Sequence, residues 1–98
     1  MYLRIHESMQ GRIVAVCDEN LMGKVLEGKG AYMDLSTHGG FYAGEKADDA
    51  RVRKALEKFD SANLVGKESV AIAVSMGLCE KKDVMYIKKT PYIQIYRL

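Results

Sequence analysis

The chain is short of most residues that announce a specialised architecture. It has one proline, Pro91, no tryptophan, two cysteines and two histidines in 98 residues. A single proline among nine dispersed glycines excludes collagen-like and proline-rich designs. Two cysteines, Cys17 and Cys79, are too few for a disulfide framework, and a reducing compartment keeps them as thiols. Neither they nor His6 and His38 stand at CxxC or HxxxH spacing, so the sequence calls for no metal and no cofactor. No apolar run approaches the roughly 18–20 residues of a membrane span. Met1-Tyr2-Leu3-Arg4-Ile5-His6 lacks the apolar stretch of a secretory signal. The expectation is a cytoplasmic protein with no membrane partner.

What is present is an ordinary globular mixture, 48% apolar and 29% charged. Ninety-eight residues suit a single domain, 1–98, with one modest core. The net charge of +2 is unevenly spread. Residues 81–98 hold Lys81, Lys82, Lys88, Lys89 and Arg97 against Asp83 alone, whereas residues 1–80 carry 10 basic and 12 acidic side chains. A basic C-terminal ribbon suits an anionic partner. It equally suits edge strands whose lysines discourage aggregation.

Alternation in Tyr2-Leu3-Arg4-Ile5-His6 and β-branched residues in Arg12–Cys17 predict two antiparallel strands joined through Glu7–Gly11. Asp18 stands as N-cap of a short turn, Glu19-Asn20-Leu21-Met22, that Gly23 ends. A second hairpin is expected over residues 24–35 around Gly28-Lys29-Gly30, followed by a loop, Ser36-Thr37-His38-Gly39-Gly40. Asp48 or Asp49 opens the clearest helix, in which Val52, Ala55, Leu56 and Phe59 form one apolar stripe. Asn63-Leu64-Val65-Gly66-Lys67-Glu68 reads as an interhelix connection, with Asn63 capping or bracing it by side-chain hydrogen bonds. A second helix follows from Lys67 to Met76, stopped by Gly77. Val84–Lys88 and Tyr92–Leu98 end the chain as two strands. The fold class is α+β: a mixed or antiparallel sheet of about five to six strands with two helices packed on one face.

Four segments could carry chemistry. Cys17 precedes a helical turn, where backbone amides favour a thiolate, but Asp18 and Glu19 oppose that charge. A nucleophile there would need His6 or His38 as base; the alternative is a core cysteine beside a cap. Phe41-Tyr42-Ala43-Gly44 is either a partner-contacting aromatic loop or a pair of rings that pins the loop to the core. Gly66-Lys67 loosely resembles a phosphate-binding helix start. In the last strand Tyr92, Gln94 and Tyr96 share one face and Ile93 and Ile95 the other. Tyrosines beside Lys88, Lys89 and Arg97, with Tyr86 or Met85 near them, form either a stacking platform for single-stranded RNA or a cross-strand ladder.

Taken in order, four groups of residues resemble the archaeal family Domain of Unknown Function 424. They are Cys17, Asp18, Glu19, Leu21, Gly23 and Lys24; Phe41, Tyr42 and Gly44; Asn63, Leu64, Val65 and Gly66; and Pro91, Gln94, Ile95 and Arg97. The resemblance covers nearly the whole chain. It implies a small cytoplasmic domain connected with translation or RNA, and it carries over no catalytic residues. Family members often have histidine after the C-terminal proline, where this chain has Tyr92.

Composition, motifs and resemblance together lead to three expectations. The first is a non-enzymatic domain that binds RNA or a ribonucleoprotein of translation through Lys81, Lys82, Lys88, Lys89, Tyr92, Gln94, Tyr96 and Arg97. The second is an adaptor whose translation-related protein partner docks on Phe41, Tyr42 and Gly44. The third is a cysteine-dependent enzyme using Cys17. The sequence leaves the oligomeric state open.

Overall fold

The computed structural model describes residues 1–9, 11–36 and 39–97. Expectations that fall on Thr37, His38 and Leu98 lie outside these, as does Gln10 in the first hairpin turn. The first hairpin comprises β1 (Tyr2–Ser8) and β2 (Gly11–Cys17), paired from Tyr2↔Cys17 to Ser8↔Gly11. A 3-10 turn, Glu19–Leu21, leads to β3 (Val25–Gly28) and β4 (Ala31–Asp34), the expected second hairpin. A single helical turn, α1 (Gly39–Tyr42), and a short strand, β5 (Glu45–Lys46), precede helix α2 (Asp49–Ala55). Then come β6 (Ser61–Val65), helix α3 (Lys67–Ser75), a 3-10 turn at Lys81–Asp83, β7 (Met85–Ile87) and β8 (Thr90–Tyr96).

The result is a mixed α/β fold with two sheets. The larger has six strands in the order β5-β1-β2-β6-β8-β7; β3 and β4 form a separate two-stranded ribbon. β2 and β6 run parallel and the remaining neighbours antiparallel.

β6 corrects the interhelix connection expected at Asn63–Gly66. Those residues lie at or beside the middle of the sheet, with Asn63 opposite Ala15 on one side and Gln94 on the other. Asn63 therefore braces no loop. A strand flanked on both edges draws its stability from its neighbours, so a five-residue run containing Asn and followed by Gly gives a weak local signal.

Side-chain alternation along β2 divides the interior into two clusters. Val14 and Val16 join Leu3, Ala62, Leu64, Ile93, Val52 and Ala55 of α2, Leu56 and Phe59 just after it, and Val70, Ile72 and Ala73 of α3. The helical stripe read from the sequence is thus buried throughout, although α2 ends at Ala55 and Phe59 reaches the core from the following turn. Ala15 and Cys17 join Leu21, Leu35, Tyr42 and Val65, with Met22, Leu26, Met33, Phe41 and Tyr92 packed around them. Asp48 caps α2 as expected, its carboxylate accepting the Arg51 N–H at 2.9 Å.

Candidate functional site

The parallel pair β2–β6 sets Cys17 opposite Val65, so both strands end at the same edge of the fold. Asp18 follows one and Gly66 the other. Asp18 occupies the N-cap position of its own 3-10 turn but makes no side-chain capping bond there. Its carboxylate instead turns to α3. Oδ1 accepts the Ser69 N–H at 2.8 Å and the Ser69 hydroxyl at 2.6 Å, and Oδ2 accepts the Glu68 N–H at 3.0 Å. Asp18 is 5% exposed and Ser69 is fully buried. The amides that a helix offers to an anion are therefore taken by a carboxylate of the chain itself. This corrects one expectation and narrows another: Asp18 caps a distant helix, and at the Gly66-Lys67 helix start the Glu68 and Ser69 amides already hold a carboxylate.

Gly66 makes the approach possible. It has φ 108° and ψ 158°, a region essentially reserved for glycine, and a Cβ there would lie 2.2 Å from Asp18 Cγ. Its N–H donates to the Pro91 carbonyl at 2.9 Å. Asp18, Asn20, Leu21, Gly66, Lys67, Thr90 and Pro91 line a cleft of about 140 Å³. Three of the four motif groups thus converge on one junction.

The fourth motif packs behind it. Tyr42 is 8% exposed, within the cluster that holds Cys17 and Leu21. Phe41 stacks on His6 with centroids 4.7 Å apart, and His6 Nε2 donates to the Phe41 carbonyl at 2.8 Å. Gly44 lies so close to β1 that a Cβ would be 2.1 Å from the Leu3 carbonyl oxygen. Burial, and then the adjacent Asp18 carboxylate, push the Cys17 thiol up to about 12. Its Sγ–H donates to the Asp18 carbonyl at 3.3 Å. His6 pairs with Ile13, four residues along the strand from Cys17, roughly 13 Å at strand rise. A buried thiol held in its neutral form, with no histidine beside it among the described residues, gives no support to a nucleophile. Cys79 packs with the other cluster, and both cysteines are free. Glu19 is exposed, and the Lys46 ammonium, hydrogen-bonded to it at 2.9 Å, holds its carboxyl below the usual range. Gly23 ends the 3-10 turn with φ 86°, and Lys24 donates its backbone N–H to the Leu21 carbonyl.

The C-terminal ribbon separates into distinct roles. Tyr96 is 69% exposed and Gln94 is exposed beside it, their neighbours on the same face being Ser61 and Asn63 of β6. Tyr92 is half-buried against the Cys17 cluster, with Met85 opposite it. Tyr86 pairs with Pro91 and belongs to the alternate face. Lys88 and Lys89 are exposed in the β7–β8 turn. Lys81 is exposed, and Lys82 is ion-paired with Glu80 at 3.4 Å. Arg97 turns away from the tyrosines: its guanidinium lies 4.1 Å over the Phe59 ring. Sequence reasoning missed Ser69, whose link to Asp18 spans 51 positions and leaves no local signal.

Fold and junction together define a small mixed α/β domain whose β2 end is latched to the start of α3 by a buried carboxylate. The chain belongs to the family described as "Protein of unknown function (DUF424)", which matches residues 6–98. It is similar to a solved structure described as an uncharacterized conserved protein from Methanopyrus kandleri, at 26% identity and TM-score 0.82, covering 99% of this chain and 90% of that one. No curated protein matches. No helix among the described residues is long and apolar enough to cross a membrane.

Proposed function

We propose that this chain is a non-enzymatic cytoplasmic domain that binds single-stranded RNA, or the RNA of a ribonucleoprotein, in connection with translation. The observation that carries the reading is the row across β8 and β6 of exposed Tyr96 and Gln94 beside half-buried Asn63 and Ser61. An exposed aromatic ring offers stacking to any base, and the amides beside it offer donors and acceptors to base edges. Lys88 and Lys89, in the turn that opens β8 at the far end from Tyr96, supply charge for phosphates of a strand running along β8. Tyr92 acts as the half-buried anchor of the strand, and Arg97 packs on Phe59. We also read α2 and α3 as sharing the sheet face of Val14, Val16 and Leu64, which supports leaving the Gln94–Tyr96 face to a ligand. An adaptor docking on Phe41 and Tyr42 would first have to break the His6 stack and withdraw Tyr42 from the interior.

Titration of labelled single-stranded RNA at two salt concentrations tests the reading. Tyr96→Ala should weaken binding by about 1–3 kcal/mol with little change in salt slope. Lys88→Glu with Lys89→Glu should weaken binding to all sequences and flatten that slope. No binding by the wild-type chain at low salt would refute the proposal.

A further inference from the structure

A second cleft lies where the two sheets meet at their turns. The Gly28-Lys29-Gly30 turn of the β3–β4 ribbon comes up against the end of β7. Gly28 is close enough that a Cβ would lie 3.4 Å from the Lys88 backbone nitrogen and 3.5 Å from Ile87 Cγ2. Between them is a cleft of about 380 Å³, lined by Gly28, Lys29, Ala31, Tyr86, Ile87 and Lys88, within the roughly 300–1,000 Å³ typical of small-molecule sites.

Its chemistry is one-sided. Lys29 and Lys88 reach it from different sheets, and no acidic side chain lines it. Among the described residues neither lysine makes an ion pair. Glu27, one residue before Gly28, alternates to the other side of the ribbon. Tyr86 adds an aromatic ring that is 61% exposed. Lys88 also has φ 55°, a left-handed conformation that glycine or asparagine adopts far more readily. The two-residue β7–β8 turn, closed by the Ile87↔Thr90 pair, sets that conformation and fixes where Lys88 leaves the backbone beside the cleft.

We propose that this cleft binds a nucleoside monophosphate group: its phosphate between Lys29 and Lys88, its base stacked on Tyr86. The group is either a free nucleotide or the phosphorylated end of an RNA strand. Tyr86 and the Tyr96–Gln94 row lie on alternate faces, so the cleft shares only Lys88 with the RNA-binding reading, and Lys29, Tyr86 and Tyr96 tell the two apart.

The test is an amide NMR titration of the full chain with adenosine 5′-monophosphate, adenosine, inorganic phosphate, and a trinucleotide with or without a 5′-phosphate. We expect shifts at Lys29, Gly30, Tyr86 and Lys88 with the monophosphate, and about tenfold weaker binding of adenosine and of phosphate alone. Lys88→Gly relieves the backbone and so keeps the fold; with Lys29→Gln it should abolish the effect, while Tyr96→Ala leaves it intact. Tighter binding of the 5′-phosphorylated trinucleotide than of the monophosphate identifies a strand end; equal binding identifies a free nucleotide. Silence at these four amides in millimolar nucleotide, or adenosine or phosphate alone binding as well as the monophosphate, overturns the proposal.

Discussion

Asp18 and Ser69 are joined by two hydrogen bonds to one carboxylate oxygen, 2.8 Å from the Ser69 N–H and 2.6 Å from its hydroxyl. Asp18→Ala would leave these donors and the Glu68 N–H unpaired at a largely buried site. We expect a loss of about 3 kcal/mol, with about 1 kcal/mol for Ser69→Ala, which removes the hydroxyl alone. A double-mutant cycle by urea denaturation should show that the two losses do not add. Strict additivity would mean that the bond does not stabilise the fold.

The glycines divide by what surrounds them. Gly66→Ala combines a forbidden backbone region with a collision against Asp18, for a loss of about 3 kcal/mol. Gly44→Ala has no φ penalty but drives a Cβ into the Leu3 carbonyl, for about 2 kcal/mol. Gly40→Ala meets open space and should be neutral or stabilising by up to about 1 kcal/mol. Thermal midpoints in that order support the packing; equal midpoints refute it.

Phe59 closes the core below α2 and carries Arg97 on its ring. Phe59→Ala should cost roughly 3–5 kcal/mol. Arg97→Gln should cost only about 0.5–1 kcal/mol, the scale of an exposed cation–ring contact. A larger loss for Arg97→Gln than for Phe59→Ala in denaturant titration would reverse the assignment of ring as support and arginine as cover.

Alkaline pH should unfold the chain through Cys17 and Tyr42. Burial pushes each up to about 12, from 9.0 for the thiol and 10.0 for the phenol. Between the unfolded and folded values the unfolded chain is the more readily deprotonated, so stability is fully present below pH 9 and falls as pH rises towards 12. Cys17→Ala should delay the onset of that fall to the range set by Tyr42. An unchanged pH profile for Cys17→Ala would show that the thiol is not desolvated. In the same range the half-buried Cys79 should react with a thiol reagent before Cys17 does.

How much of this was legible in the sequence follows from how local each signal is. Both hairpins, the Asp48 cap and the Val52–Phe59 stripe are written within a few residues, by alternation, turn glycines and helical spacing. β6 was not, because Asn63 and Gly66 carry loop signals and the strand is held by partners on both sides. Asp18 could be read as a cap from its residue type, but the helix it caps begins far along the chain. Tyr92, Gln94 and Tyr96 were placed on one face by period alone. That Tyr92 is anchored while Tyr96 is exposed depends on what packs beneath, and Arg97 sits over Phe59 for the same reason.

The parallel β2–β6 pairing also sets an order of assembly. Each hairpin closes through a short turn, whereas joining Cys17 to Val65 requires the ends of a long intervening segment to meet. That seam should form the rate-limiting nucleus, with the Asp18 carboxylate latching α3 only afterwards. Asp18→Asn should then accelerate unfolding and leave the folding limb of a chevron plot almost unmoved, whereas Leu64→Ala should slow folding itself. A folding limb slowed by Asp18→Asn would place the latch inside the nucleus. The Asp18–Ser69 latch would then act first on how fast the chain finds its shape.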